Sequence, residues 1–326
     1  MAEATQSLAQ YNELQDAGLA IVGNFFQDYE TARDGGFSSL IGMETSSDSS
    51  SEDYAFSGHA PSPRLWQGGR LARNPKKYKF SIKNAPYESS MVIPRSDLRR
   101  DKTGTLQRAV REMAIKAGSD HWDKLISAEI EANNNSYDSQ AMFSVTHDES
   151  GSNQLNLLAA AQIPAANVSV VTAPTADEMA KIITQTIGYM WGIVDDQGDP
   201  VNGGATSWVI MAGGTYAAAI WGAIQKAISA DSLSSGETNQ VPSLGLNLTP
   251  VLNPRLTSTS DAFVYFFNHD RTLRPYVRQE EVGWTSEFLG EGTSSAFNSD
   301  AYTFGIHGSR AVGPGEWKYA ARVTLS

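Results

Sequence analysis

A mixed α+β fold is predicted from three features of the sequence. Residues 76–83 alternate lysine or serine with tyrosine, phenylalanine and isoleucine, which is the period of a strand with one apolar face. Residues 103–132 carry apolar side chains at every third or fourth position, as in a long amphipathic helix. After residue 155, helix and strand signals alternate. The chain has 326 residues, of which 40% are hydrophobic, so it can fill one large core or two moderate ones.

The first 63 residues are predicted to form an acidic arm, because they contain ten acidic residues and a single arginine. Residues 1–44 have loose helical spacing that stops at Gly35 and Gly36. The serine-rich tract 45–53 has too few apolar residues to join a core, so we interpret it as a linker or mobile loop. We therefore expect that deletion of residues 1–44 weakens an assembly without unfolding the core.

A basic hairpin is predicted to follow the arm. Strand 76–83 turns at residues 84–86 and returns along residues 87–93. A two-stranded hairpin is marginally stable alone, so its apolar face needs a surface to cover, and we expect a neighbouring subunit to supply it. The predicted contact residues are Lys76, Lys77, Tyr78, Lys79, Phe80, Ile82, Lys83, Met91 and Ile93.

Charges of opposite sign are separated along the chain. Residues 64–124 contain fifteen basic and six acidic residues, whereas the chain as a whole has a net charge of −11. In one interpretation, each segment has a solvated face that carries charges of its own sign. In the other, segments of opposite charge contact each other, within one subunit or between neighbours, and their complementary charges determine the register and the choice of partner. The candidate acidic contacts in the arm are Asp28, Glu30, Asp34, Asp48, Glu52 and Asp53. The net charge argues against a protein whose main task is to bind a phosphate backbone.

The helix predicted over 103–132 has a length of about 42 Å, from a rise of about 1.5 Å per residue, which is long for an ordinary domain. Gly118 is the expected position of a bend, because glycine destabilises a helix interior by about 1 kcal/mol relative to alanine. Its apolar stripe includes Leu106, Val110, Met113, His121 and Leu125. A histidine on such a stripe is more often part of a core or interface than a metal ligand.

The second half of the chain is predicted to contain both helices and strands. Helices are expected at 175–191 and 215–230, with a linker at 231–240. Strands are expected at 207–211, 249–252, 262–267, 273–277, 302–306 and 317–323.

No reactive centre is evident in the sequence. The absence of cysteine excludes thiolate nucleophiles, disulfides and cysteine-ligated metals. None of the five histidines has the spacing of a metal pair, and His147 and His269 are interpreted as turn residues. Asp195 and Asp199 lie in a turn that lacks the ligand periodicity of a calcium loop. We therefore predict a protein with no cofactor, no metal and no enzymatic activity.

No export or membrane segment is predicted either. The sequence contains no run of about 18 apolar residues, and its first residues lack the basic and apolar regions of a signal peptide. We therefore expect the protein to be cytosolic when it is made.

Several stretches resemble the Mu-like major head subunit family, which are phage capsid proteins of the Hong Kong 97 type. The resemblance is carried by residues 79–84, 92–97, 137–147 and 301–310, by the long helix and by Trp317. It implies the α+β Hong Kong 97-type fold, with an arm, an E-loop hairpin, a peripheral domain built on a spine helix, and an axial domain. The implied boundaries are 1–63 for the arm, 64–97 for the E-loop, 98–174 and 256–326 for the peripheral domain, and 175–255 for the axial domain.

The resemblance also implies a function in the virion. Copies of the chain would form the hexamers and pentamers of an icosahedral head, assembled in the bacterial cytoplasm around double-stranded DNA that is bound without sequence specificity. Implied partners are a scaffold and a portal, with a decoration protein left open. The alternatives are an encapsulin-type compartment, which encloses protein cargo, and a soluble hydrolase using Asp195, Asp199 or His147. A cell-surface layer is disfavoured because no export signal is present.

Overall fold

The computed structural model describes residues 2–57, 63, 65–66, 68–69, 77–100, 104–149, 152–225, 245–256, 262–290 and 292–326. The helices are α1 (Ala2–Ala32), α2 (Ser38–Ile41), α3 (Arg95–Arg100), α4 (Thr105–Ile115), α5 (His121–Ala132), α6 (Ala176–Trp191), α7 (Ala217–Gln225) and α8 (Ser294–Ser299). The strands are β1 (Gly42–Ser46), β2 (Ser51–Ser57), β3 (Lys77–Lys83), β4 (Ala85–Pro94), β5 (His147–Glu149), β6 (Ser152–Gln154), β7 (Leu157–Leu158), β8 (Ser207–Ala212), β9 (Asn247–Leu252), β10 (Phe263–Asn268), β11 (Tyr276–Leu289), β12 (Ala301–Pro314) and β13 (Ala320–Thr324). The predicted α+β class is confirmed.

A five-stranded sheet with the order β7-β13-β10-β8-β9 forms the larger core. Its central strands β8 and β10 are almost entirely buried, which matches their continuous apolar sequences. Helix α6 packs in the same core and begins with a capping box, in which Thr175 and Glu178 exchange side-chain to backbone hydrogen bonds. The predicted helix at 175–191 and strand at 207–211 are thus confirmed.

A second sheet, with the order β1-β11-β12-β4, is called the long sheet below. Strands β11 and β12 each have 14 residues and pair antiparallel. The predicted strands at 273–277 and 302–306 were therefore too short. On one face of β12, Tyr302, Phe304 and Ile306 are buried in a core shared with α1 and α4.

The N-terminal arm is part of the body of the subunit. In α1 the side chains of Ile21, Phe25 and Tyr29 are buried, and the ring centroids of Phe25 and Phe304 lie 5.5 Å apart. Strand β1 extends the long sheet by pairing parallel to β11. Helix α1 therefore contributes to a core of the subunit. The expectation that deletion of residues 1–44 leaves the core folded stays a prediction, and this burial argues against it.

The serine-rich tract 45–53 consists of the end of one strand, a four-residue connection (47–50) and the beginning of the next strand. Strand β1 ends at Ser46 and β2 begins at Ser51, so the interpretation of the whole tract as a linker was wrong. The Ser47 hydroxyl donates to the Ser49 carbonyl at 2.6 Å, and the Asn84 side chain donates to the same carbonyl at 2.9 Å. Polar side chains thus satisfy the backbone of a tight turn that apolar residues could not satisfy.

The predicted hairpin of 76–83 with 87–93 is wrong, although both strands exist. Strand β3 pairs antiparallel with β2, and β4 pairs antiparallel with β12. Only Asn84 separates β3 from β4, so the chain continues along one path instead of reversing. The hairpin is therefore β2–β3, and the serine-rich tract supplies the first three residues of β2.

The predicted long helix at 103–132 is confirmed with an interruption. Helix α4, a π-helical turn (Lys116–Asp120) and α5 follow one another, and together they are called the spine helix below. Gly118, with φ −81° and ψ −113°, departs from helical geometry at the predicted bend. The buried stripe consequently shifts by one residue, from Val110 and Met113 in α4 to Trp122, Ile126 and Ile130 in α5.

Parts of two predictions lie outside the described residues: the linker at 231–240 and the end of the helix at 215–230 beyond Gln225. Among the helices that the structure describes, none is both long and apolar enough to cross a bilayer. The same residues contain no group of three or more His, Asp or Glu side chains that could hold a metal ion.

Candidate inter-subunit surfaces

The base of the β2–β3 hairpin is fixed to the long sheet by a buried amide. Gln279 of β11 accepts a hydrogen bond from the Tyr54 hydroxyl at 2.6 Å. Its side-chain nitrogen donates to the Ile82 carbonyl at 3.2 Å and to the Asn84 side chain at 2.7 Å. Gln279 is fully buried, so every polar atom of its amide is satisfied by the hairpin. The hairpin thus leaves the body from a rigid base.

A glycine allows the hairpin to approach this closely. A Cβ at Gly313 of β12 would lie 2.7 Å from two carbons of Ile82 and 3.3 Å from the Phe80 ring. Ile82 and Val277 form a small cluster with Ala311, packed against Tyr54 and Phe80. The apolar face of the hairpin is therefore covered at its base by the subunit itself.

The predicted contact residues of the hairpin divide into two groups. Ile82 and Ile93 are buried within their own chain, which contradicts the expectation that a neighbouring subunit covers them. Lys79 and Lys83 are exposed, whereas Phe80 and Met91 are half-buried. Lys77 and Tyr78 lie in β3, and Lys76 lies outside the described residues. The role of the exposed lysines in subunit contacts stays a prediction.

The predicted acidic contacts of the arm are surface groups in the subunit. Asp28 lies 3.9 Å from Arg111 of the spine helix. Asp34 lies 3.9 Å from Arg278, which is itself buried in the long sheet. Neither ion pair is short or enclosed, so each contributes little to stability. The remaining members are exposed or half-buried: Glu30, Asp48, Glu52 and Asp53.

The break in the spine helix is stabilised by the long sheet. Loss of helical geometry at Gly118 leaves the Ala117 carbonyl to accept from the Trp284 indole N–H at 2.7 Å. The Arg310 guanidinium, fully buried, lies between the rings of Trp122 and Trp284, 4.6 Å from each centroid. It also donates to Glu280 at 2.6 Å. The bend is thus a supported feature of the fold, not a local weakness.

The predicted residues of the spine helix lie on both sides of this break. Val110 and Met113 are buried, and Leu106 packs against the same core. His121 and Leu125 are only half-buried, and the His121 ring packs against Tyr87 and Trp284, with ring centroids 4.5 Å and 5.7 Å away. Burial lowers the pKa of His121 to about 4, and the positive charge of Arg310 acts in the same direction. His121 is therefore neutral at neutral pH.

A buried polar network that sequence reasoning missed joins residues 137–147 to the 3-10 turn (Trp317–Tyr319) that precedes β13. Tyr137 donates to Glu316 at 2.6 Å, and Lys318 donates to the Tyr137 hydroxyl at 3.0 Å. His147 is fully buried in β5 and stacks on Trp317 at 4.0 Å, so its interpretation as a turn residue was wrong. Its ring nitrogens lie 2.5 Å from an Asp138 carboxylate oxygen and 3.1 Å from the Asn156 side-chain oxygen, and both residues are nine positions away in the sequence, where no local pattern signals a contact.

The sequence model of the Mu-like prophage major head subunit gpT family matches residues 19–169. Residues 19–169 of the chain therefore resemble the Mu-like major head subunit family. The match spans the C-terminal part of α1, the β2–β3 hairpin, the spine helix and the segment with His147. The sequence match and the fold described below both support a major capsid protein of a phage. No curated protein matches the sequence.

Solved capsid structures share the fold. The procapsid of bacteriophage JBD30 aligns with 94% of this chain and 74% of its own, at 19% identity and a TM-score of 0.51. The mature capsid of bacteriophage PhiM1 aligns with 89% of this chain and 87% of its own, at 11% identity and 0.54. The capsid of cyanophage P-SCSP1u aligns with 88% of this chain and 86% of its own, at 13% identity and a TM-score of 0.54. The fold of this chain is therefore the Hong Kong 97 type.

Proposed function

We propose that this chain forms the shell of a tailed-phage or prophage head by assembling into hexamers and pentamers around double-stranded DNA. The observation that carries the proposal is the β2–β3 hairpin, which is fixed at its base by Gln279 and forms a two-stranded sheet of its own. A two-stranded hairpin is marginally stable alone, and in a closed shell a neighbouring subunit would supply the surface that it covers.

The boundaries of the functional parts shift accordingly. The E-loop comprises residues 51–83, from β2 to β3, instead of 64–97. Strand β4 then belongs to the peripheral domain, because it pairs with β12 along ten residues. The axial domain is built around α6, α7 and the strands β8 and β9, and the peripheral domain around the spine helix and the long sheet. A scaffold and a portal are expected partners during assembly in the host cytoplasm.

The encapsulin-type alternative shares the shell but differs in content. The match to a head-subunit family favours the phage interpretation, since that family is defined by head proteins. The proposal also makes the chain a structural protein, in which the buried polar groups hold segments together and do not act on a substrate.

Sedimentation of the purified protein and chemical analysis of what sediments test this proposal. We expect a large, uniform species from the chain expressed with its scaffold, and DNA but no dedicated protein cargo in particles from induced phage growth. A species that stays monomeric under all assembly conditions contradicts shell formation. Particles filled with a single protein cargo support the compartment alternative instead.

A further inference from the structure

A buried histidine lies where three segments of the chain meet. His147 of β5 is fully buried, and its ring stacks on Trp317 with the ring centroids 4.0 Å apart and the planes 3° apart. One ring nitrogen faces Asp138, in the loop after the spine helix, and the other faces Asn156, just before β7. Buried polar atoms are costly unless each one has a hydrogen-bond partner. The two partners therefore determine which ring nitrogens carry a hydrogen.

Asn156 determines the hydrogen on Nε2 of His147. The side-chain nitrogen of Asn156 donates to the Met142 carbonyl at 2.8 Å and to the Trp317 carbonyl at 3.2 Å, and its side-chain oxygen accepts from the Ser144 N–H at 2.9 Å. A rotated amide would set its nitrogen against the Ser144 N–H and its oxygen against two carbonyls, so only this orientation pairs every donor with an acceptor. The same oxygen lies 3.1 Å from Nε2, which must therefore be a donor.

Asp138 determines the hydrogen on Nδ1. One of its carboxylate oxygens lies 2.5 Å from Nδ1 of His147, and the other accepts from the Gln140 backbone N–H at 3.1 Å. The short distance is typical of a hydrogen bond between charged groups. The face of the Trp317 ring, on which the imidazole lies, also attracts a positive charge. Both contacts favour a charged ring with hydrogens on both nitrogens, and an ionised Asp138.

The neighbouring charges leave Asp138 as the partner of this ring. Glu316 lies 3.3 Å from Lys318, so this carboxylate and this ammonium balance each other. Asp148, the next residue in β5, is exposed. Asp138 has a side chain that is only 9% exposed, and an ionised group with so little contact with water needs a partner of opposite charge. Further titratable groups around the junction are Tyr137 and Arg322.

We propose that His147 is an imidazolium paired with the Asp138 carboxylate, and that this buried ion pair joins residues 138–156 to the turn before β13. Each ring N–H closes one hydrogen bond, and loss of either proton would set an oxygen against a nitrogen lone pair. The ring thus acts as a latch that holds only while it carries both protons. The inference concerns the single subunit and does not depend on shell formation.

Nitrogen NMR of the unassembled wild-type subunit tests the charge of the ring. Proton–nitrogen correlation spectra of isotope-labelled histidine distinguish protonated from unprotonated ring nitrogens, and single glutamine variants of the five histidines assign the signals. At about pH 8 a histidine of an unfolded chain is mostly neutral, so the same labelled protein in urea gives the reference spectrum. We expect both ring nitrogens of His147 to be protonated in the folded subunit at this pH. One protonated and one unprotonated nitrogen would overturn the inference.

A double-variant cycle tests whether the pair stabilises the fold. Removal of one partner leaves the other buried and unpaired, so Asp138→Asn and His147→Gln should each lower the folding equilibrium constant roughly a hundredfold or more in urea unfolding. The double variant should lower it by far less than the product of the two effects, because both substitutions remove the same interaction. Asp148→Asn is the matched control at an exposed position and should change the constant by less than about threefold.

Two outcomes of this cycle would contradict the latch. If Asp138→Asn changes the folding equilibrium constant no more than the Asp148→Asn control does, the ring has no charged partner. If the two single effects multiply in the double variant, the side chains act independently. Either outcome leaves shell formation standing. Where a variant does not fold, the charge measured on the wild-type ring decides.

Discussion

Replacement of Phe25 by alanine tests whether α1 is an integral part of the subunit core. The Phe25 side chain is fully buried and packs edge-on against Phe304 of β12. Removing a buried phenylalanine destabilises a protein by about 3–5 kcal/mol, because apolar contact is lost and a cavity remains. Leu19 on the same helix is 68% exposed, so Leu19→Ala should change the unfolding free energy by less than about 0.5 kcal/mol.

Urea unfolding of the unassembled subunit, followed by tryptophan fluorescence, measures both variants. A loss of under 1 kcal/mol for Phe25→Ala, or equal losses for the two variants, would refute the placement of α1 in the core. The same reasoning applies to the truncation of residues 1–44. It removes Ile21, Phe25 and Tyr29 together, each worth about 2–5 kcal/mol, from a total stability of about 5–15 kcal/mol. We expect the truncated subunit to be unfolded, and a cooperative unfolding transition from it would contradict this.

Three further outcomes are expected. Gly313→Val should lower the unfolding free energy by about 1–3 kcal/mol through overpacking at the hairpin base, whereas Gly214→Ala, where a Cβ has no neighbour within 4 Å, should be neutral in the same urea assay. His121 has a pKa of about 4 in the fold against 6.5 in the unfolded chain, so the unfolded state binds more protons between pH 4 and 6.5. The free energy of unfolding should therefore fall as the pH drops from 6.5 to 4. His121→Gln should make it depend less on pH in this range, and an unchanged slope would contradict the assignment. The double variant Lys79→Glu, Lys83→Glu should block particle formation without changing the circular dichroism spectrum, because both side chains are exposed. Normal particles in the electron microscope would exclude these lysines from the predicted contact with a neighbouring subunit.

Local patterns in the sequence predicted most of the individual elements. The capped helix at 175–191 and the buried strand at 207–211 have strong periodicity and composition signals, and both are present. The bend at Gly118 followed from the low helix propensity of glycine. What this reasoning could not give is the rotation of the buried stripe after the bend, since that depends on the backbone angles at one residue.

Pairing between distant segments was the part that sequence could not supply. Strands β3 and β4 are separated only by Asn84, and that proximity suggested a hairpin. Instead, β3 pairs with the preceding strand β2, and β4 pairs with β12 near the C-terminus. The partner of β3 contains serine and acidic residues, which by composition indicated a loop. Its pairing depends on the buried amide of Gln279, 225 residues from Tyr54, and local propensity carries no information about such a contact.

Cryo-electron microscopy of the assembled protein tests the central claim most directly. The account predicts closed shells of uniform diameter with fivefold and sixfold rings of this subunit, in which each β2–β3 hairpin lies on a neighbouring copy. Subunits that remain single at all concentrations, or shells in which the hairpins contact no other subunit, would contradict it.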